Sequence, residues 1–254
     1  MKKTKRICAM ILAIVIVLGM TPLMTTAYTY GYGYGKYGYL NYFVLNADSI
    51  SHRDIVIIGC DKNVVGNLEI PEYIGGIPVT TISNDAFSGC TGLTSITIPS
   101  RVTSIGEHAF SGCTGLTSIN IPASVKVIVG SAFSGCTGLT SMTVDENNPA
   151  YHSNGNCIIY TSSKRLIAGC KTSVIPDDGS VTSIGDSAFS DCTGLASITI
   201  PASVINIDGS AFSGCTGLTS ITIPSRVTSI DNHAFSGCTG LTSINIPASV
   251  TNIK

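Results

Sequence analysis

The 254-residue sequence carries a formal net charge of −1, and only 11% of its residues are charged. This balance excludes the basic footprint of a nucleic-acid-binding protein and the long-range field that would steer the chain toward a charged polymer. The 27 glycines and the lack of tryptophan are unusual for an ordinary enzyme, so one structural constraint dominates the composition.

The N-terminus has the layout of a secretory signal peptide. The basic stretch KKTKR is followed by the apolar run 7–20 and by small residues that end at Ala27. The apolar run is short for a membrane span, which needs about 20 residues. We therefore expect a signal peptide at 1–27, with a retained N-terminal anchor as the alternative. The mature chain would start near Tyr28, carry no membrane span, and be secreted or displayed at the cell surface.

The next segment, 28–42, is rich in tyrosine and glycine. It holds seven of the ten tyrosines and has no aliphatic core former before Leu40. Glycine raises the cost of ordering, and little apolar surface is available for burial, so we expect a flexible leader. The alternative is an aromatic segment that contacts cell wall or saccharide.

Residues 43–78 are predicted to form an N-terminal cap that shields the first repeat. The stretch begins with YFVLNADSISHRDIVIIGC and continues through LEIPEYIGGIP. Its apolar run ending in Gly-Cys, followed by Ile-Pro, is found again in the middle of the chain.

From residue 79 to 254 the sequence repeats with a period of 23. The repeat phenylalanines are separated by 23, 23, 56, 23 and 23 residues, at Phe87, Phe110, Phe133, Phe189, Phe212 and Phe235. A period of 20 to 29 residues with leucine and isoleucine spaced L-x-x-I-x-I is typical of a leucine-rich-repeat solenoid. Each repeat is then one coil.

Within a repeat, LTSITIP is predicted to be a strand. Ile96 and Ile98 alternate with polar neighbours, the period of a half-buried strand, and Pro99 ends it because proline cannot donate to a ladder. The following V-T-S-I is predicted to be a second, shorter extended segment. A single coil cannot cover its own apolar residues, so the coils must stack through a parallel strand ladder. The predicted fold is a β-rich solenoid.

Two parts of the array are nearly identical. Residues 86–125 and 211–250 differ only at Gly106 against Asp231 and at Glu107 against Asn232. Packing tolerates exchanges among apolar residues, so identity at surface positions indicates a recent internal duplication.

The 56-residue gap contains an insert at about 145–180. NCIIY and RLIAGC flank TSSK, a pattern that predicts a β-hairpin. An excursion of this length in a repeat array either carries function or is a folded insert.

The repeat AFSGCTGLTSITIPSRVTSIGEHAF at 86–110 resembles the BspA-like, Treponema-type leucine-rich repeats of bacterial surface proteins. The resemblance covers about 44–254, including GGIPVTTI and the insert, and AF-x-x-C recurs with I-x-I-P through the repeats. It implies a secreted or cell-surface protein that adheres to host proteins or other cells, with no catalytic residues to transfer. The sequence stops partway into a seventh repeat without a cap, and an uncapped coil end exposes apolar surface and strand edges.

Six cysteines share one position, three residues after each repeat phenylalanine. They are Cys90, Cys113, Cys136, Cys192, Cys215 and Cys238. We expect small buried side chains, because the parallel Cβ vectors of stacked coils are a poor start for a disulfide; occasional neighbouring disulfides are the alternative. Cys60, Cys157 and Cys170 are expected to be structural or free.

The sequence predicts no metal site, no cofactor and no enzymatic activity. Cysteines 23 residues apart lack the C-x-x-C spacing of a zinc site, and weak calcium binding at 145–148 or 177–179 is less favoured than solvated turns. The histidines provide no convincing base for a nucleophile, and S-G-C-T-G recurs whereas an active site would be unique.

The candidate binding surface is the outward side of the LTSITIP strands, which is hydroxyl-rich and uncharged. Its predicted residues are Ser95, Thr97, Ser118, Asn120, Ser141, Thr143, Ser197, Thr199, Ser220, Thr222, Ser243 and Asn245. Such a face suits weak, multivalent contact with an extended ligand.

We therefore expect an adhesin-like, secreted or cell-surface binding protein. Its partner would be an extracellular or host protein, or a surface polymer, and not a nucleic acid. The alternative is a non-catalytic structural element that associates with itself through the uncapped C-terminal end.

Overall fold

A computed structural model describes residues 33–46 and 53–254, in which twenty strands and no helix occur. The predicted signal peptide and residues 28–32 lie outside this part of the chain. The strands are β1 (Tyr34–Tyr37), β2 (Leu40–Asn46), β3 (Arg53–Cys60), β4 (Gly66–Glu69), β5 (Tyr73–Ile74), β6 (Ile77–Ile82), β7 (Leu93–Thr97), β8 (Ser104–Ile105), β9 (Ser118–Ile121), β10 (Val127–Ile128), β11 (Ser141–Val144), β12 (Tyr151–Asn154), β13 (Cys157–Tyr160), β14 (Arg165–Ala168), β15 (Ser183–Ile184), β16 (Ser197–Thr199), β17 (Asn206–Ile207), β18 (Ser220–Thr222), β19 (Ser229–Ile230) and β20 (Asn252–Ile253).

The predicted solenoid is confirmed, with about nine coils of roughly 23 residues each. Every repeat contributes to two parallel ladders on different sides of the coil. The first ladder contains the LTSITI segments, in β4, β7, β9, β11, β16 and β18. The second ladder contains the shorter V-T-S-I segments and their counterparts, in β3, β6, β8, β10, β14, β15, β17, β19 and β20.

The register of both ladders follows the repeat period. Ile105 pairs with Ile82 on one side and with Ile128 on the other, so like residues stack on like. The second ladder is the more continuous one, because its strands join two seven-stranded sheets. The strands of the first ladder are longer but pair only two at a time. The two-residue V-T-S-I segments therefore carry more of the coil-to-coil pairing than their length suggests.

The repeat phenylalanines form two stacks inside the coils. Phe87, Phe110 and Phe133 make one stack, with ring centroids 5.2 and 5.5 Å apart and interplanar angles of 6° and 1°. The second stack, from Phe189 to Phe235, has centroid separations of 5.2 and 5.4 Å. Each ring fills the space left by the ring below it, which explains why the period is held so strictly.

The third side of each coil is a series of tight turns that hydrogen-bond to the next coil. The amide of Phe87 donates to the carbonyl of Ala109 at 2.7 Å, and the amide of Gly112 donates to Ser134 at 2.8 Å. Gly112 has a φ of 68°, which suits glycine. A Cβ on Gly115 would lie 2.4 Å from the carbonyl oxygen of Thr91, so the T-G-L glycine permits close stacking of coils.

The ordered body begins earlier than the predicted leader boundary. Strands β1 and β2 form an antiparallel hairpin, and β2 pairs with β3, so much of the segment expected to be flexible belongs to the N-terminal sheet. The reason is packing by Tyr42, whose ring would collide with a Cβ on Gly35 at 2.2 Å. Leu40 is buried beside it. Glycine here makes room for an aromatic ring.

The mid-chain insert repeats the strand order of the N-terminal sheet. Strands β12, β13 and β14 are antiparallel neighbours, and β14 then pairs in parallel with β15. Strands β1, β2, β3 and β6 have the same succession. The insert lies where two clusters of buried side chains meet, one reaching from Leu40 to Cys170 and one from Cys157 to Cys238.

Candidate binding face

The predicted polar residues lie on the outer side of the first ladder. Thr97, Asn120 and Thr143 are exposed, while Ser95 and Ser141 are half-buried. The intervening Ile96, Ile119 and Met142 point inward and are buried. The alternation follows from the two-residue period of a strand, which places hydroxyl and amide groups outside and aliphatic groups in the core.

The structure brings these residues together in smaller groups. Ser118 and Asn120 pair with Ser141 and Thr143, and Thr143 Oγ1 donates a 2.9 Å hydrogen bond to Asn120 Oδ1. In the second part of the array, Ser197 and Thr199 pair with Ser220 and Thr222, and Thr222 bridges to Asn245. Ser95 and Thr97 pair instead with β4, where Ser95 Oγ donates to Asn67 Oδ1 at 2.9 Å.

The insert interrupts the face between Thr143 and Ser197. Lys171 Nζ donates to the carbonyl of Thr137 at 3.0 Å, and Thr172 Oγ1 donates to the carbonyl of Thr140 at 2.8 Å. The twelve predicted residues therefore form two hydroxyl-rich patches separated by a segment that carries a lysine.

A cation and aromatic cluster stands beside the first patch. The guanidinium carbon of Arg101 lies 4.8 Å from the centroid of the Tyr73 ring, and Arg101 Nε is 3.8 Å from Glu72 Oε2. Glu72 Oε1 also accepts hydrogen bonds of 2.9 Å from the amide and hydroxyl of Ser100. All three side chains of the cluster are 42 to 51% exposed.

This cluster was not predicted, because its members come from different segments. Tyr73 belongs to the cap sequence PEYIGG, whereas Arg101 follows the first LTSITIP strand. The available signal was the pair of arginines, Arg101 and Arg226, at one repeat position. Arg226 stands in the same twenty-letter repeat at 211–230 but pairs with no aromatic ring in the described chain.

The nine cysteines of the described residues are buried and carry free thiols. Cys113 Sγ donates to the carbonyl of Phe87 at 3.1 Å, and Cys136, Cys215 and Cys238 make the equivalent contact at 3.0 to 3.1 Å. Burial raises the pKa of Cys113 and Cys192 to about 12. The repeated cysteine therefore acts as a small buried side chain with a weak donor, as expected for this position.

The titratable groups lie mainly in turns. His108 and His233 share one repeat position and have φ values of 53° and 59°, so they lie in the left-handed region as well as near the surface. His152 Nδ1 is 2.9 Å from Thr161 Oγ1, and His52 is outside the described residues. In residues 33–46 and 53–254, no group of three or more His, Cys, Asp or Glu side chains is arranged to hold a metal ion. No membrane-crossing helix occurs in the same ranges.

The stacked coils, the phenylalanine stacks and the outward polar strands define a leucine-rich-repeat solenoid, a class of proteins that typically act as binding scaffolds. The sequence profile of the family described as BspA type leucine rich repeat region matches residues 67–178 and 163–254, in six copies. The chain belongs to this family.

Solved structures of bacterial proteins resemble the whole arrangement. A leucine-rich repeat protein from Bacteroides ovatus is 28% identical, with a TM-score of 0.53 over 84% of this chain and 53% of that one. The pneumococcal vaccine antigen PcpA is 16% identical, with a TM-score of 0.53 over 87% and 77%. The T. pallidum leucine-rich repeat protein TpLRR is 26% identical, with a TM-score of 0.46 over 91% and 86%. No functionally curated protein matches the sequence.

Proposed function

We propose that this protein is a non-catalytic, exported binding protein that engages an extracellular or host protein, or a surface polymer, through the first ladder. The observation that carries the proposal is the exposure of small polar residues on this ladder. The apolar residues between them are held inside by stacking, so the face is rigid without any ligand. A rigid face loses little entropy on binding.

The chemistry of the face favours an extended, uncharged ligand held by many weak contacts. Each hydroxyl or amide hydrogen bond contributes only about 0.5 to 1.5 kcal/mol net. Several of these groups already bond to a neighbouring coil, as Thr143 does to Asn120, which leaves the amide and remaining lone pairs for a ligand. Useful affinity then requires several coils to be engaged at once.

The Arg101 and Tyr73 cluster supplies the one strong anchor beside this face. Arginine and tyrosine are enriched among the residues that dominate binding energy. Tyr73 holds the guanidinium in place, and Glu72 orients it from the opposite side. The patch beside this cluster should therefore bind more tightly than the second patch, which has Arg226 alone.

The first experiment uses matched charge insertions in the identical repeats. Thr97→Lys with Thr222→Lys places two cations on the first ladder, whereas Thr103→Lys with Thr228→Lys places them at exposed positions beside the second ladder. Binding is measured by biolayer interferometry against immobilised extracellular-matrix proteins and, separately, against bacterial surface polysaccharide. We expect the first pair to weaken binding at least tenfold and the second pair to leave it unchanged.

The second experiment separates anchor from face. Arg101→Ala should weaken binding several-fold, and Arg226→Ala, in the same sequence context, should have a smaller effect. Equal effects from both ladders, or binding that no substitution alters, would contradict the proposed face. Concentration-dependent growth in light scattering without capture of any partner would instead support the structural, self-associating alternative.

A further inference from the structure

One cysteine pair differs in geometry from the other repeated cysteines. Cys113, Cys136, Cys215 and Cys238 each donate to a phenylalanine carbonyl of the preceding coil. Thiols related by a simple translation along the solenoid have parallel Cβ vectors, which suit this contact and not a disulfide. Cys90 stands in the first full coil, and its sulfur neighbours the thiol of Cys60, with which it shares a hydrogen bond.

Cys60 reaches Cys90 from another element of the fold. It ends β3, the strand that joins the N-terminal sheet to the second ladder, and the chain then runs alongside the turn that contains Cys90. Lys62 Nζ contacts the carbonyl of Ser88, and the amide of Gly66 donates to the carbonyl of Gly92 at 2.9 Å. The two cysteines are therefore not related by the repeat, and the limit that parallel Cβ vectors impose on the rest of the series does not apply to them.

We propose that Cys60 and Cys90 are a disulfide-forming pair that covalently fastens the N-terminal sheet to the first coil. The oxidant is a small-molecule disulfide such as oxidised glutathione. The Cys90 thiolate attacks one sulfur of the oxidant, forms a mixed disulfide and releases one glutathione thiolate. The Cys60 thiolate then attacks Cys90 Sγ and displaces the second glutathione. Two protein thiols are oxidised to one disulfide, and one glutathione disulfide is reduced to two thiols.

Electrostatics around the pair favour the first step. The hydrogen bond from Cys60 and the ammonium group of Lys62 lower the pKa of Cys90, against the opposing effects of burial and Asp61. The pKa of Cys60 is raised correspondingly, first by the same hydrogen bond and then by burial. One thiolate shared between two thiols is the reactive state for disulfide exchange. Both side chains are buried, so exchange takes place during folding or when residues 61–66 open.

The insert provides a matched control within the same chain. Cys170 follows glycine after β14 as Cys60 does within β3, and Cys192 is the next repeated cysteine. Here the partners differ, because Cys170 Sγ lies 3.2 Å from Thr172 Oγ1 and 3.7 Å from Ser173 Oγ. Cys192 Sγ points to the carbonyl of Gly169 at 3.9 Å, and burial raises its pKa. This second pair should remain reduced.

The test is peptide mapping of the full chain refolded with oxidised and reduced glutathione. Free thiols are alkylated, and trypsin then separates Cys60 in peptide 54–62 from Cys90 in peptide 63–101. We expect these two peptides to be linked, while peptide 166–171, which carries Cys170, is alkylated. Alkylation of both Cys60 and Cys90 in the oxidised sample, or a link of either to another cysteine, would overturn the proposal.

A second measurement tests the fastening itself. Oxidation should raise the thermal midpoint of the wild type by several degrees, because the link closes a loop of about thirty residues in the unfolded chain. Cys60→Ser and Cys90→Ser should each lose this increment and match the reduced wild type, whereas Cys170→Ser should retain it. A linked pair with no change in midpoint would show that the bond does not fasten the sheet. The mapping uses wild-type protein, so it remains decisive if a variant fails to fold.

Discussion

Replacing one repeat phenylalanine in two identical sequence contexts tests whether stacking stabilises the solenoid. Residues 108–125 and 233–250 are the same eighteen letters, so Phe110→Ala and Phe235→Ala share every local preference. Phe110 is fully buried and has rings on both faces, at 5.2 and 5.5 Å. Phe235 is only partly buried and has one ring neighbour, at 5.4 Å.

The expected costs follow from these differences. A buried phenylalanine replaced by alanine costs about 3 to 5 kcal/mol, and each lost aromatic pair adds about 0.5 to 1.5 kcal/mol of coupling within that range. Phe110→Ala should therefore lie near the upper end, about 4 to 5 kcal/mol. Phe235→Ala keeps part of its solvent contact and loses one pair, so we expect about 2 kcal/mol.

Urea unfolding followed by circular dichroism measures both values. The free energies should be compared at similar slopes, because a repeat array can lose its terminal coil before the rest unfolds. Equal costs for the two variants would refute stacking as the source of stability. A cost below about 1 kcal/mol for Phe110→Ala would show that the ring lies outside the core.

Three further outcomes are expected. Gly169→Ala should cost about 1 to 3 kcal/mol of unfolding free energy, because its Cβ would lie 2.1 Å from the Phe189 ring; Gly194→Ala, which meets only the flexible Lys171 side chain, is the control. His108→Val should be about 1 to 2 kcal/mol less stable than His108→Gly, since φ is 53° there, and equal thermal midpoints would contradict this reasoning. Burial raises the pKa of Asp208 above 3.8 despite neighbouring Arg165, so its stabilising contribution is present at low pH and lost as the pH rises through the raised value. The wild type should therefore lose stability relative to Asp208→Asn above about pH 4, and a constant difference across the titration would argue against a buried carboxyl.

The sequence predicted the solenoid because its repeat is a direct record of packing. A residue such as Phe110 recurs at 23 positions because an identical ring lies above and below it. The inward direction of Ile96 and the outward direction of Thr97 follow from the strand period alone. Local rules were sufficient wherever each coil contacts only a copy of itself.

The features that were missed depend on contacts between unlike segments. The hairpin of β1 and β2 could not be predicted from the tyrosine and glycine content, because its stability comes from Tyr42 packing over Gly35. The Arg101 and Tyr73 cluster joins residues 28 positions apart, from the cap and the first repeat. No period links such pairs, so the printed sequence carries no sign of their proximity.

The predicted face was placed correctly on the outside of the first ladder, but its continuity was not predictable. The sequence presents twelve equivalent residues, whereas the structure divides them where Lys171 and Thr172 contact the preceding strand segment. A repeat pattern records what each coil has in common. It contains no information on what an insert does to the space between two coils.

The insert also has a consequence for how the chain finds its native pairing. Coils 86–125 and 211–250 are nearly interchangeable, so each could dock on the neighbour of the other at almost no energetic cost, and repeat proteins are prone to such misassembly. Gly169 fits under the ring of Phe189 and nowhere else in the described chain is a repeat phenylalanine matched by a bare glycine in this way. That single lock gives an otherwise degenerate array an origin from which its coils are counted, and a chain without it would have several competing registers of similar energy.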